Sequence, residues 1–100
     1  MNESVIEIHP HLEARMKERG VSLEEIERTL KSGWPADDTK PGAYGKVYVF
    51  SYNREWCGKV FEEKEVRVYY KPIGEKVIVL TVKARYGKFP QRSQLSGNRN

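Results

Sequence analysis

The fold is decided by a stretch near the N-terminus that reads His9-Pro10-His11-Leu12-Glu13-Ala14-Arg15-Met16-Lys17-Glu18-Arg19-Gly20. Pro10 suits the first position of a helix, because its φ angle is fixed and its missing N–H would have no partner there. Gly20 readily takes the left-handed conformation that ends a helix. The stretch therefore predicts a helix that begins at Pro10 and stops at Gly20.

A second helix is predicted directly after the first. Ser22 can cap it, and Glu25, three residues later, completes a capping box. Val21 and Ile26 stand at the positions of a hydrophobic staple across that cap, and Gly33 ends the helix. Because the connection is very short, we expect the two helices to form a hairpin. The predicted buried stripe of the second helix consists of Leu23, Ile26 and Leu30.

After residue 45 the apolar pattern repeats every second residue, which indicates strands. We expect four strands, namely one up to Tyr52 that turns at Asn53-Arg54, one from Trp56 to Glu62, one from Glu65 to Tyr70 and one from Lys76 to Tyr86. Short links between successive strands predict an antiparallel meander. The predicted fold class is therefore α+β, with an N-terminal helical hairpin packed on a four-stranded antiparallel sheet in the order α-α-β-β-β-β.

The length of 100 residues suits one domain. Residues 1–86 are predicted to form it, and residues 87–100 to form a basic, flexible tail with little to bury. No apolar stretch approaches the roughly 20 residues that cross a bilayer, so no membrane segment is expected. Cys57 is the one cysteine, and the N-terminus lacks a secretory signal, which together favour a cytoplasmic location. The Cys57 thiol is interpreted as a buried structural group.

Charge is unevenly distributed along the chain, whose net charge is +4. Residues 1–33 carry seven acids and five Lys or Arg, whereas residues 34–100 carry seven acids and thirteen Lys or Arg. Residues 83–100 contain no acidic residue and five basic ones, namely Lys83, Arg85, Lys88, Arg92 and Arg99. This asymmetry favours a polyanionic partner, and we expect RNA. The alternative is a solvated tail on a mildly basic protein.

The first helix carries a ladder of polar groups, since His11, Arg15 and Arg19 recur every fourth residue and stack along one side. RNA supplies its own nucleophile, the 2′-hydroxyl, so an acid, a base and cations can cleave it without metal. His11 is the candidate acid or base, and the two arginines are candidate phosphate clamps. Alternatively, the ladder is the solvent face of a charged helix. The sequence leaves open whether His9 or His11 is the functional histidine.

The predicted sheet supplies a second polar set. Arg67, Tyr69 and Lys71 share one face of their strand, as do Thr81, Lys83 and Arg85 on the last strand. Arg67 and Thr81 are predicted to join the helix ladder in one catalytic cleft. The predicted nucleic-acid-binding residues are Tyr69, Lys83, Arg85, Tyr86 and Lys88. Tyrosine rings can stack on bases, although sheet propensity alone also explains them.

No cofactor and no metal site are expected. His9 and His11 lack a third histidine or a cysteine pair to complete a zinc site. The acidic pair Asp37-Asp38 is interpreted as turn chemistry in the loop between helices and sheet.

The stretch from His9 to Ser22, followed by Glu24-Glu25-Ile26, resembles the opening of a prokaryotic domain-of-unknown-function family. That family begins with a His-x-x-x-Arg-Met-x-x-Arg-Gly-Ile-Ser type helix. Its last strand is of the Val-x-Thr-Val type, which Val79-Leu80-Thr81-Val82-Lys83 resembles. The resemblance spans residues 6–86. The family in turn is similar to the RelE/ParE and BrnT toxins and to the barnase–EndoU–colicin–RelE ribonuclease group.

The resemblance implies a RelE-like fold, a metal-independent endoribonuclease of toxin type and an antitoxin protein as partner. Carried over residue by residue, the family's helix histidine and two arginines fall on His11, Arg15 and Arg19, and its last-strand threonine falls on Thr81. The alternative is a non-catalytic module that binds nucleic acid or protein, because one fold hosts several functions.

Overall fold

The computed structural model describes residues 5–89, in which two helices pack on one face of a five-stranded sheet. The helices are α1 (Pro10–Arg19) and α2 (Leu23–Ser32). The strands are β1 (Val5–Glu7), β2 (Trp34–Pro35), β3 (Tyr44–Trp56), β4 (Lys59–Ile73) and β5 (Lys76–Gly87). Their order across the sheet is β1-β5-β4-β3-β2.

The centre of the sheet is an antiparallel meander of β3, β4 and β5, but two edge strands flank it. On one edge β1 runs parallel to β5, with Val5 opposite Lys76. On the other edge β2 runs antiparallel to β3, with Trp34 opposite Val47. The α+β class is therefore confirmed, and the prediction of four antiparallel strands is wrong. The edge strands have only three and two residues; the sequence shows a short alternation of Ile6 and Ile8 with Glu7 at the first of them and no period at the second.

The turn predicted at Asn53-Arg54 is wrong, because the chain reverses at Cys57-Gly58. Both of these turn residues have positive φ, +53° and +87°, as a two-residue type I′ hairpin turn requires. Asn53 also has positive φ, +50°, but it lies where the register of β3 shifts against β4. The second and third predicted strands are consequently one strand, β4. Cys57 is exposed in the turn and is not the buried thiol that was predicted.

The predicted helix ends are confirmed. Gly20 follows α1 in the left-handed conformation, with φ +72°. The Ser22 hydroxyl accepts a hydrogen bond from the Glu25 N–H at 3.1 Å, and the Glu25 carboxylate accepts one from the Ser22 N–H at 3.0 Å. The capping box is complete, which satisfies two N–H groups that the start of α2 would leave without partners.

The hydrophobic core lies between the helices and the facing side of β4 and β5. Its fully buried members are Leu12, Val21, Ile26, Val66, Val68, Val79 and Val82. The prediction that Leu23 belongs to the buried stripe of α2 is wrong, because Leu23 is 45% exposed. Thr29 is buried instead. The Thr29 hydroxyl donates to the Glu25 carbonyl at 2.7 Å, which satisfies it within the helix. The core holds both helices on one side of the sheet.

Residues 87–100, predicted as a tail, begin with the last residue of β5. The Phe89 N–H donates to Glu63 at 2.8 Å, which holds Phe89 against β4. The remainder of the predicted tail lies outside the described residues. Within residues 5–89, neither helix is long and apolar enough to span a bilayer.

Candidate nucleic-acid interface

Side-chain alternation along β4 decides which predicted site residues meet. Val66 and Val68 point into the core beneath the helices. Arg67 lies between them in the strand, so its side chain points to the other side of the sheet. We call that side, remote from both helices, the open face. Its polar residues on the two neighbouring strands include Glu65, Arg67, Tyr69 and the exposed Lys71 of β4 and Thr81, Lys83 and Arg85 of β5.

The structure does not form the catalytic cleft that was predicted between α1 and the sheet. His11 and Arg15 are exposed on the helix side, whereas Arg67 and Thr81 lie on the open face. The physical reason is that α1 must turn Leu12 to the sheet face that carries the core valines. Arg67 lies next to a core valine in its strand, so its side chain points to the opposite face of the sheet.

The two histidines lie together at the start of α1. The ring of His11 stacks on that of His9, with centroids 6.2 Å apart and planes inclined by 14°. His9 Nε2 lies 2.9 Å from a carboxylate oxygen of Glu7. A catalytic role for His11, or for His9, stays a prediction, now without the sheet cations beside it.

Arg19 and Tyr86 serve as links within the fold. Arg19 Nη1 donates to the Val82 carbonyl at 3.1 Å, and the Tyr86 hydroxyl donates to the Arg19 carbonyl at 2.6 Å. The Tyr86 ring stacks on Trp56, with centroids 4.8 Å apart, and burial raises the pKa of its hydroxyl. Tyr86 therefore lies on the helix side, and its ring is covered where base stacking was predicted.

Asp38, on the loop between β2 and β3, is held by two open-face side chains. The Tyr69 hydroxyl donates to its carboxylate, with oxygen distances of 2.9 and 3.0 Å, and Arg67 Nη1 donates at 3.1 Å. The Tyr69 hydrogen bond is the largest cause that lowers the pKa of Asp38, and the Arg67 charge adds to it. The carboxylate is thus ionised and bound by a cation and a hydroxyl.

A second carboxylate, Glu65, bridges two arginines. Arg67 Nε donates to Oε1 at 3.2 Å, while Arg85 donates through Nε at 3.0 Å and through Nη2 at 3.2 Å. Burial alone would raise the pKa of Glu65, but the hydrogen bonds from Arg85 and Arg67 outweigh it, and the pKa is lowered. Glu65 therefore stays charged and fixes the orientation of both guanidinium groups.

Lys83 and Arg85 are exposed cations of the open face. The Arg85 side chain is 63% exposed despite its bonds to Glu65. Lys83 Nζ lies 5.2 Å from the centroid of the Tyr69 ring, and no carboxylate of residues 5–89 lies within 4 Å of it. Tyr69 itself is only 8% exposed, so the predicted stacking of bases on its ring is blocked in this conformation. Lys88 is exposed and pairs with Glu62 at 3.2 Å.

A family model described as "Domain of unknown function (DUF4258)" matches residues 8–83. The chain belongs to the DUF4258 family. The resemblance to a domain-of-unknown-function family is thereby confirmed, but the finer likeness to RelE and its ribonuclease group is not. Comparison with curated proteins and with solved structures found no match. The match to DUF4258 includes Asp38, Arg67, Tyr69 and Lys83 and ends before Arg85.

Two residues of the site in this DUF4258 chain were missed by the sequence interpretation. The sequence interpretation assigns Asp38 to turn chemistry and names Glu65 only as the first residue of a predicted strand. Asp38 contacts a residue 31 positions away, and such a contact leaves no local pattern. The position of Glu65 could have been inferred from the sequence, because it alternates in phase with Arg67 and Tyr69 on the polar side of its strand. Within residues 5–89, no group of three or more His, Cys, Asp or Glu side chains is placed to hold a metal ion.

Proposed function

We propose that the protein binds RNA through the open face, with the phosphate backbone contacting Lys83 and Arg85 and reaching Arg67. The observation that carries this proposal is the placement of three cations on adjacent strands, where Lys83 stands directly opposite Arg67. Residues two apart on one strand are about 7 Å apart, so Lys83 and Arg85 can contact different phosphates. Guanidinium groups bind phosphate oxygens in a forked geometry, and an ammonium group adds a point charge.

RNA is the favoured polyanion because the same face also offers hydroxyl groups. Thr81 stands opposite Tyr69 and next along the face from Lys83, so its hydroxyl is placed to contact a ribose 2′-hydroxyl. The surplus of basic residues after residue 33 supplies sequence-independent attraction for a polyanion.

The test is binding of a labelled single-stranded RNA, measured by fluorescence anisotropy. The variant Lys83→Gln with Arg85→Gln should bind at least about tenfold more weakly. This factor corresponds to the lower end of the free energy that a hydrogen bond to a charged group contributes. The matched control, Lys17→Gln with Lys31→Gln, removes two exposed cations from the helices and should bind within about twofold of wild type. If both double variants weaken binding equally, RNA binds at another site or binding depends only on the net charge of the protein.

A second candidate function is metal-independent cleavage of RNA on the same face, as in a toxin-type endoribonuclease. The observation that favours it is the Tyr69 hydroxyl, which can give up a proton, donates a hydrogen bond to the Asp38 carboxylate and lies next to Arg67. In chelator, Tyr69→Phe should slow the appearance of shortened RNA by roughly 10²–10⁴-fold, as for a lost acid or base. His11→Ala is the competing variant, and loss of cleavage there with normal cleavage by Tyr69→Phe would return the site to α1.

An antitoxin protein, the partner that the resemblance implied, belongs to the same proposal. Such a partner would act by covering the cations of the open face, so it should compete with RNA for them. Mixing the protein with the product of an adjacent gene, followed by size-exclusion chromatography with and without RNA, tests for it. A complex that still binds RNA as well as the free protein does would contradict competition.

A further inference from the structure

The loop between β2 and β3 contacts the open face at Tyr69 and Arg67. The Ala36 N–H donates to the Gly45 carbonyl at 2.9 Å, which anchors the start of the loop to β3. A Cβ atom placed on Gly45 would lie 2.8 Å from the Thr39 hydroxyl and 3.1 Å from the Tyr69 ring. The loop, β3 and Tyr69 are thus in close contact, and this contact explains why a tyrosine on an otherwise open face is buried.

At the end of this contact, Asp38 presents a carboxylate where a phosphate group would bind. Both of its oxygens lie within 3.0 Å of the Tyr69 hydroxyl, and Arg67 donates to one of them. Two oxygens on one anionic centre are also what a phosphodiester offers to an arginine and a hydroxyl. The donors around Asp38 are therefore the donors that an RNA phosphate would need.

We propose that Arg67 and Tyr69 form a phosphate subsite, and that Asp38 fills it as an internal anion that RNA must displace. This inference rests on the proposed RNA binding at the open face. It assigns the loop between β2 and β3 a regulatory role, since the closed loop excludes phosphate from the subsite and the displaced loop opens it.

The two carboxylates that are hydrogen-bonded to Arg67, Glu65 and Asp38, differ in how readily they can leave. Glu65 is buried and accepts hydrogen bonds from two arginines, so it remains in place. The Asp38 side chain is 46% exposed and is carried on a segment outside the helices and strands. Exposed ion pairs contribute little to stability, so a phosphate with comparable bonds can replace this carboxylate. Of the two, Asp38 is the one that can move.

The test compares two variants with the same change of charge. Asp38→Asn removes the internal anion. The variant should bind the labelled RNA roughly 3–10-fold more tightly, because a larger fraction of the protein then has its Arg67–Tyr69 subsite open to phosphate. Asp37→Asn is the matched control, since its side chain is 94% exposed and lies 3.8 Å from Arg67. It should change affinity by less than about twofold. Adding Arg67→Gln to Asp38→Asn should remove the gain.

A second measurement uses the wild-type chain and inorganic phosphate as the probe. Titration should shift the Asp38 carboxylate carbon and the Arg67 Nη–H resonances along one saturation curve, because Arg67 donates to Asp38 through Nη1 and the two events are one displacement. A response of Arg67 without one of Asp38 would overturn the inference.

The outcomes separate this inference from the function on which it rests. Equal tightening by Asp38→Asn and Asp37→Asn, or weaker binding by Asp38→Asn, would overturn the internal anion while leaving RNA binding intact. Failure of Lys83→Gln with Arg85→Gln to weaken binding would instead overturn the open face as the RNA site.

Discussion

The ammonium of Lys64 lies 2.8 and 3.0 Å from the two carboxylate oxygens of Glu25, and its side chain is only 2% exposed. The same ammonium donates to the Gly20 carbonyl and lies 5.4 and 5.5 Å from the ring centroids of Tyr52 and Tyr86. One buried cation therefore ties β4 to the junction of the two helices. A buried charge that loses its partner keeps its desolvation cost, so this contact is expected to be sensitive to substitution.

Glu25→Gln should lower the free energy of unfolding by about 3 kcal/mol, the smaller end for a broken buried pair. The smaller end applies because the Gly20 carbonyl and the two rings still contact Lys64. Glutamine retains a side-chain oxygen for the capping box, so the change isolates the charge. Urea denaturation measures it, with Glu24→Gln as the exposed control on the same helix turn. A loss no larger than that of the control would mean that Lys64 does not depend on Glu25.

Gly20→Ala should destabilise the protein more than Gly58→Ala. Both glycines have positive φ, which costs a residue with a Cβ about 1–2 kcal/mol. At Gly58 the added Cβ meets nothing within 4 Å, whereas at Gly20 it would lie 2.5 Å from Trp56 and 2.7 Å from the Tyr86 hydroxyl. Overpacking of this kind adds about 1–3 kcal/mol. Thermal unfolding of the two variants checks the order, and equal losses would show that the aromatic pair moves aside freely.

The helices were predictable from sequence because their start and stop signals are local. Pro10, Ser22 and Gly20 each act within a few residues of their own position, and the structure uses all three. The hairpin turn was not predictable in this way. Asn53 is a residue type that often takes positive φ, and cysteine is not, yet strand pairing places the turn at Cys57-Gly58 and leaves a register shift at Asn53. The choice is made by the partner strand, which local propensity does not include.

For the candidate site, the alternation of residues correctly predicted that Arg67 and Tyr69 share a face, and that Thr81 shares one with Lys83. It could not predict on which side of the sheet α1 would pack. That choice follows from the apolar residues of both layers together, and it separates His11 from the sheet cations. The role of Asp38 was equally out of reach, because its contact with Tyr69 exists only once the loop has closed over the sheet.

Acid should destabilise the protein in part through Glu65. Its pKa in the folded protein lies below the ordinary value of 4.5 that it regains on unfolding. Its contribution to stability is therefore present above that ordinary value and is lost as the pH falls through the lower, folded pKa. Glu65→Gln should be less stable than wild type at neutral pH and should show a flatter decline between about pH 5 and pH 3. Urea unfolding at several pH values measures both, with exposed Glu62→Gln as control. An unchanged slope in Glu65→Gln would remove Glu65 from the acid response.

The salt dependence of RNA binding should identify which cations contact phosphate. Each phosphate contact on a single strand contributes about 0.7 to the slope of log K against log salt concentration, because it releases a counterion. Lys83→Gln should therefore reduce the magnitude of that slope by about 0.7, and binding to RNAs of different sequence should weaken to the same extent. Lys17→Gln removes an exposed charge from α1, on the side remote from the open face, and should leave the slope unchanged. If Lys17→Gln lowers the slope and Lys83→Gln does not, the phosphate backbone runs along the helices, and the ladder of His11, Arg15 and Arg19 becomes the better site.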